Sequence, residues 1–305
     1  MTSPGLDTPV AFFIFNRPET TTRVFERIAA VRPRTLLVVA DGPRPAREGE
    51  ARLCGEARSV LERVDWDCDL RTSLSDVNLG CRARMSSGVD WVFSQVPEAI
   101  LLEDDCLPHP DFFPFCEQLL ARYRDDERVG MIGGTNFQFG QRVGSGSWYF
   151  SKYAAIWGWA SWRRAWRNYD VDCRYWPAFR ASGAFDRIME PEERWYWIAV
   201  LDRMHRGEID TWDYQWLLSC WVHSMLVAVP QSNLISNIGF GAGATHTVRH
   251  SPYADMPTVG LEWPLVEPPL IIADRQADRR TAAGQYNQSW TRRLKARLRA
   301  WSREH

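Results

Sequence analysis

Ala99-Ile100-Leu101-Leu102-Glu103-Asp104-Asp105 is four apolar residues running straight into three adjacent carboxylates. The apolar part is short and unbroken, as expected of a strand covered on both faces of a sheet. Two earlier runs have the same form: Val10–Phe15 ends in Asn16-Arg17-Pro18, and Thr35–Ala40 ends in Asp41-Gly42-Pro43. Helical periodicity follows each of them. Pro18 suits a first helical turn, and Val24, Ile28 and Val31 share one helical face, so residues 19–31 read as a helix. Helices are also expected over 48–64 and 83–95, with a weaker strand at Cys68–Ser73 between them. Phe112, Phe115, Cys116, Leu119 and Tyr123 mark one face of a further helix, and Val129–Gly133 reads as a fifth strand. Strands alternating with helices predict an α/β fold with a mostly parallel sheet. Such sheets bind ligands at the carboxyl ends of their strands. Asn16-Arg17, Asp41 and Glu103-Asp104-Asp105 all fall there.

Three adjacent carboxylates raise one another's pKa unless a cation or hydrogen bonds offset them. A divalent metal supplies that offset, and an all-oxygen donor set suits Mg²⁺ or Mn²⁺. With so few protein ligands, a substrate diphosphate is expected to complete the shell. The bland alternative is an acidic turn capped by solvent.

The chain has 305 residues, 45% apolar and 25% charged, which excludes a disordered protein. Its net charge of −1 gives no global basic field, so no nucleic-acid partner is expected. No apolar run approaches a membrane span, and the N-terminus reads as lacking a secretion signal. Seven scattered cysteines without a C-x-x-C pattern fit a reduced, cytoplasmic compartment.

The pattern changes after residue 135. Residues 136–147 are polar and Gly-rich and read as a mobile loop. Most of the sixteen Trp follow over 148–221, with helices expected near 159–168, 190–206 and 212–223. Residues 231–285 show little periodicity. Gly239–Gly243 is not a phosphate loop, because no G-K-[ST] follows. His109 and His205 have no partners at metal-ligand spacing and read as surface residues. Trp290, Leu294, Leu298 and Trp301 form one stripe of a C-terminal helix otherwise filled by Arg and Lys. A basic amphipathic helix of this kind can lie on an anionic membrane, and docking on the body or on a second subunit is the alternative.

The order of these segments resembles GT-A nucleotide-sugar glycosyltransferases, and among them the N-acetylglucosaminyltransferase I family and its bacterial relatives. Phe15-Asn16-Arg17-Pro18 is similar to that family's first strand end and nucleotide-contacting Arg, and Ala40-Asp41-Gly42 to its uridine-contacting Asp. Ile100–Asp105, then Pro110-Asp111-Phe112-Phe113, resembles its E-D-D strand and following helix. Trp157-Gly158-Trp159 resembles the G-W segment over the sugar, and Thr211-Trp212-Asp213 the W-D carrying the catalytic base. Ile235-Ser236, Gly239-Phe240-Gly241 and His246 resemble the last active-site strand and loop, so the resemblance covers residues 9–250.

The resemblance implies a GT-A (Rossmann-like), mostly parallel sheet flanked by helices, with a Trp-rich acceptor-side half and a terminal basic helix. Residues 1–135 would form the nucleotide-sugar-binding half, 136–285 the acceptor-binding and catalytic half, and 286–305 the helix. Asp105 would hold the Mn²⁺ or Mg²⁺, Glu103 and Asp104 the sugar and ribose hydroxyls, and Asn16, Arg17, Asp41 and Arg84 the nucleotide. Asp213 would be the base of an inverting transfer, with Trp157, Trp159 and His246 as sugar or acceptor contacts. The donor would be a UDP-sugar. The acceptor would be a glycan or lipid-linked glycan of a bacterial cell envelope, met in the cytoplasm or at the inner membrane face. Three departures stand out: Arg84 replaces a usual His, Trp212-Asp213-Tyr214-Gln215-Trp216 carries one carboxylate where the family has two, and Asp210 is a rival base. The other readings are a sugar nucleotidyltransferase, which shares the fold but usually grips a triphosphate with a Gly-rich basic loop, and a carbohydrate-binding protein on an inactivated scaffold.

Overall fold

The computed structural model describes residues 5–240 and 252–286. The first half alternates as read from the sequence: β1 (Val10–Ile14), α1 (Pro18–Val31), β2 (Thr35–Ala40), α2 (Glu50–Arg58), β3 (Asp69–Leu74), α3 (Cys81–Gln95) and β4 (Glu98–Glu103). Then come β5 (Cys106–Pro108), α4 (Phe112–Arg122), β6 (Val129–Gly133), β7 (Trp148–Ser151) and β8 (Trp159–Trp162). A helical stretch follows, with α5 (Arg163–Trp166), α6 (Trp176–Ala181), α7 (Ala184–Ile188), α8 (Pro191–His205) and α9 (Asp213–Val222). The last elements are β9 (Leu226–Pro230), β10 (Ile235–Asn237) and α10 (Arg275–Gln285).

Eight strands form one sheet in the order β3-β2-β1-β4-β8-β6-β9-β7. The first four are parallel; β8 runs antiparallel between β4 and β6, β9 is parallel to β6, and β7 is antiparallel at the edge. β5 and β10 pair separately. The chain goes from β1 outward through β2 to β3, then returns to lay β4 on the other side of β1. That reversal opens a crevice at the carboxyl ends of β1 and β4, the place where open α/β sheets bind ligands. The expected mostly parallel, helix-flanked α/β sheet is the observed architecture.

The strand alternation explains why these runs are unbroken. Val10, Phe12 and Ile14 join one core with Leu36, Val38, Ile100 and Leu102. Ala11 and Phe13 join the opposite core with Leu37, Val39, Ala99 and Leu101. Each strand is sealed on both faces, so each residue must be apolar. α3 lies so near the sheet that a Cβ on Gly88 would come within 2.7 Å of Val39 and 2.8 Å of Phe13.

Trp159, Trp166, Trp212 and Trp216 share the second core, with Trp159 and Trp212 stacked at 5.8 Å and Trp166 and Trp216 tilted against each other at 5.1 Å. Trp212 and Trp216 pin the first turn of α9, and Asp213 with it.

Three expectations need correction. Residues 159–168 are not one helix, because Trp159–Trp162 is a central strand, buried throughout. A fully buried short run has no periodicity to separate strand from helix. Residues 136–138 are anchored rather than loose: the Asn136 amide donates to the carbonyls of Pro230 and Gln231, and Gln138 donates to Thr281 and to the Ala277 carbonyl of α10. α10 was hidden because its buried face is only Ala277, Asp278, Thr281 and Ala282. His246 and almost all of the proposed basic tail, residues 287–305, lie outside the described residues.

Gly88→Ala should lower stability by about 1–3 kcal/mol through overpacking against Val39 and Phe13. An unchanged denaturation midpoint would show that α3 does not sit this close to the sheet.

Candidate functional site

The site begins with a turn of three residues, Phe15, Asn16 and Arg17, between β1 and α1. Its backbone is fixed from both sides. The Phe15 N–H donates to Asp104 Oδ2 at 3.1 Å, and the Arg17 carbonyl accepts from the Thr21 N–H at 2.9 Å and from the Thr21 hydroxyl. Arg17 Nη1 reaches across the crevice to Asp104 Oδ1 at 3.3 Å and Asp105 Oδ2 at 2.6 Å. The turn after β1 and the acidic end of β4 are therefore one charged unit.

The acids hold their charges with difficulty. Burial, then Asp105, Asp104 and Asp213, push Glu103 well above the carboxylate range, and Glu103 Oε1 is sealed from solvent without a hydrogen-bond partner. Burial and the Asp105 charge push Asp104 up to about 7, against the pull of Arg17 and the Phe15 N–H. Burial works against the Arg17 charge too, but Asp104, Asp105 and Glu103 together outweigh it and raise its pKa. The β5–β10 pair closes the other side. Ile238 N–H donates to the Asp105 carbonyl at 2.8 Å, and a side chain at Gly239 would overlap the Asp105 carboxylate.

Asp213 is the first residue of α9 and half-buried, with the Thr211 hydroxyl donating to its Oδ1. Its charge contributes to raising Glu103 and Cys81, and the Asp210 charge contributes to raising Cys81 as well. Asp210, the rival base, instead accepts from the Arg82 N–H at 3.1 Å and caps α3.

The remaining sequence candidates take other places. Asp41 accepts the N–H groups of Gly42 and Leu79 and the amide of Asn78, each at 2.9–3.0 Å, and so ties together the loops after β2 and β3. With about four acceptor positions on a carboxylate, it has about one left for a ligand. Asn16 donates to Glu50 Oε1 at 2.8 Å. Arg84 requires a correction as a nucleotide contact: it is buried against the end of β3, donating to the Ser73 carbonyl and hydroxyl, and burial lowers its pKa. Trp159 is corrected as well. It is 2% exposed within the Trp core and offers no face to a sugar. Trp157 is half-buried, with Phe240 and Phe137 at 5.7 and 5.8 Å, and it borders the crevice through Phe240, the neighbour of Gly239.

Sequence reasoning missed Glu50 and Arg44, whereas Gly239 was named through the resemblance as part of the last active-site loop. Nothing local marks Glu50, an ordinary acid at the start of α2. In the fold it accepts from Asn16, the Arg44 N–H and the Arg44 guanidinium.

The arrangement suits a hard cation. The donors are all oxygen, three adjacent carboxylates share one guanidinium, and one buried carboxylate oxygen lacks a partner. Among the described residues, no three His, Cys, Asp or Glu side chains form a complete cage. A cation here would rely on ligands from its substrate, with Asp105 as the accessible protein ligand.

No family model and no curated protein matches this chain. It is similar to the solved structure of 4-diphosphocytidyl-2C-methyl-D-erythritol synthase from Anaerococcus prevotii, at 8% identity over 73% of this chain and 88% of that one, TM-score 0.38. It is also similar to a UDP-glucose pyrophosphorylase complexed with UDP-glucose, at 8% identity over 74% and 90%, TM-score 0.37. A third is a cytidylyltransferase from Leptospira borgpetersenii, at 9% identity over 66% and 73%, TM-score 0.32. None of the three is a glycosyltransferase by name. Likenesses this distant extend no activity to this chain.

Glu50 gives the site a pH signature. Hydrogen bonds from Arg44, and from Asn16, hold its pKa down to about 2 from 4.5. Its stabilisation is therefore complete above pH 4.5 and is lost as pH falls from there towards about 2. Glu50→Gln should cost about 1–3 kcal/mol at neutral pH, with the gap to the native chain narrowing over that acidic window. Denaturation midpoints that track in parallel down to the acid end would remove Glu50 from this role.

Proposed function

We propose that this chain is a metal-dependent, inverting glycosyltransferase that moves a sugar from a nucleoside diphosphate, UDP, to a hydroxyl of a glycan or lipid-linked glycan. One observation carries the reading. At the switch point of the sheet, Asp104 and Asp105 are clamped by Arg17 beside Glu103, and Asp213 stands at a helix start, near enough for its charge to act on Glu103.

In this reading the nucleoside lies over the ends of β1–β3, against the walls built by Asp41–Asn78 and Asn16–Glu50. Arg17 meets the diphosphate, and Glu103 and Asp104 meet sugar and ribose hydroxyls. Asp105 would hold a divalent cation, which when bound supplies Lewis-acid stabilisation of the leaving diphosphate. Asp213 takes the proton from the acceptor hydroxyl as its oxygen attacks the anomeric carbon. The new carbon–oxygen bond forms as the bond to the diphosphate breaks, and UDP departs with the bonding pair. The positive end of the α9 dipole favours the ionised Asp213 that this step requires. A single displacement inverts the anomeric centre, by the same logic as in glycoside hydrolysis.

The second reading, a sugar nucleotidyltransferase, matches the names of the three solved proteins. Such an enzyme would join a sugar 1-phosphate to a nucleoside triphosphate and release pyrophosphate. The short turn between β1 and α1 weighs against it. Phe15, Asn16 and Arg17 are followed at once by helical Pro18, which leaves no glycine loop to wrap a triphosphate.

UDP should raise the thermal midpoint more with Mn²⁺ than without it, by mass action on the native state. Asp213→Asn should keep that shift and lose about 10²–10⁴-fold in turnover of a UDP-sugar. Pyrophosphate release from UTP and a sugar 1-phosphate, with no turnover of UDP-sugars, would replace this reading with the second. A product that retains the anomeric configuration would remove Asp213 as the base of a single displacement.

A further inference from the structure

Asp105 Oδ2 has a cation already: Arg17 Nη1, 2.6 Å away. The rest of the carboxylate is enclosed. Gly239 packs on one side and the Cys106 sulfur lies 3.5 Å from Oδ1, while the side chain keeps 15% of its exposure. A divalent ion approaching Asp105 cannot simply add to this arrangement; it meets the guanidinium. The Arg17 backbone is held by Thr21, so the movable part is the side chain, 23% exposed at the crevice. Guanidinium groups bind phosphate in a planar, bidentate manner, so a diphosphate is a strong rival for Arg17.

We propose that Arg17 is a positioning residue that keeps Asp105 from binding a divalent cation until a nucleoside diphosphate draws the guanidinium away. The nucleotide half of this statement rests on the proposed function; the competition between Arg17 and the metal does not. The consequence is an imposed coupling. Metal alone binds poorly because it must displace a fixed cation of the same charge sign. Nucleotide and metal together bind well, because the diphosphate takes Arg17 and Asp105 becomes free for the ion. By linkage, each ligand must strengthen the other by the same factor.

The test is Mn²⁺ binding followed by loss of the free-ion electron paramagnetic resonance signal, in mildly alkaline buffer and without nucleotide. Arg17→Gln should bind Mn²⁺ about tenfold or more tightly than the native chain, since a full positive charge beside the ligand is gone. UDP should then improve Mn²⁺ binding less in Arg17→Gln than in the native chain. The gain should vanish in the double variant Arg17→Gln/Asp105→Asn, which identifies the ligand. Removing Arg17 leaves buried acids without their counter-charge, so Arg17→Lys is the companion variant. It keeps a cation for the fold but cannot reach both Asp104 and Asp105, and should show a smaller gain in the same direction. No gain in whichever variant folds, or a gain that survives Asp105→Asn, overturns the proposal. If no form of the protein binds UDP, the proposed function falls, and the metal-only comparison still decides the role of Arg17.

Discussion

The contact between Arg17 and the paired carboxylates of Asp104 and Asp105 is the constraint on which the crevice depends. Three acids adjoin one another at the end of β4, the charge of Asp213 acts on Glu103 from the start of α9, and burial opposes the charge on Glu103 and Asp104. One guanidinium offsets them. It can do so only because β4 returns to lie beside β1, which brings the turn after one strand onto the acidic end of the other. Removing one partner of such a buried group is far more damaging than its net contribution, because the remaining charges are left uncompensated. Sheet order and site chemistry are therefore one requirement seen at two scales.

The second half of the chain supplies the opposing wall. Asp213 is held by the Thr211 hydroxyl and carried by Trp212 and Trp216, which are buried on either side of it in sequence. Those indoles pack with Trp159 of β8 and Trp166 of α5, and β8 pairs directly with β4. A continuous path of packed rings and backbone hydrogen bonds thus runs from the acidic strand to the base proposed opposite it. The aromatic density that looks like a sugar-binding signature in the sequence is here mostly a rigid mount.

The nucleotide-side half of the fold was legible because β1, β2 and β4 are covered on both faces and the helices on one, two patterns that differ sharply, while the exposed edge strand β3 gave the weaker signal. β7, β8 and β9 were not legible, while β10 was named only through the family resemblance. They are short and buried, or lie among aromatics, and such runs look alike whether straight or coiled. In the site, Glu103-Asp104-Asp105, Arg17 and Asp213 could be named because each adjoins a recognisable element boundary and the family resemblance pointed to it. Arg84 and Trp159 were misplaced because sequence position gives an element but not the face to which a side chain turns. Glu50 was invisible for a related reason. Its importance comes from Asn16 and Arg44, brought to it by the folding of two separate loops, and no local pattern records that meeting.

An acidic crevice is an improbable host for a diphosphate, since both are negative. The contradiction disappears when cations are counted together with their mobility. Arg17 has a fixed backbone and a side chain that can exchange one set of oxygens for another. A divalent ion, by contrast, requires more oxygen ligands than the described residues gather into one cage. Neither cation alone neutralises both the protein acids and an incoming diphosphate. Under the proposed function the two together would, with the guanidinium turning to the phosphates and the ion taking up the carboxylate left behind. On this account the repulsion among Glu103, Asp104 and Asp105 is not a defect tolerated by the fold. In the proposed function it would be the source of the selectivity, because a ligand bringing its own anionic oxygens and its own metal would relieve it.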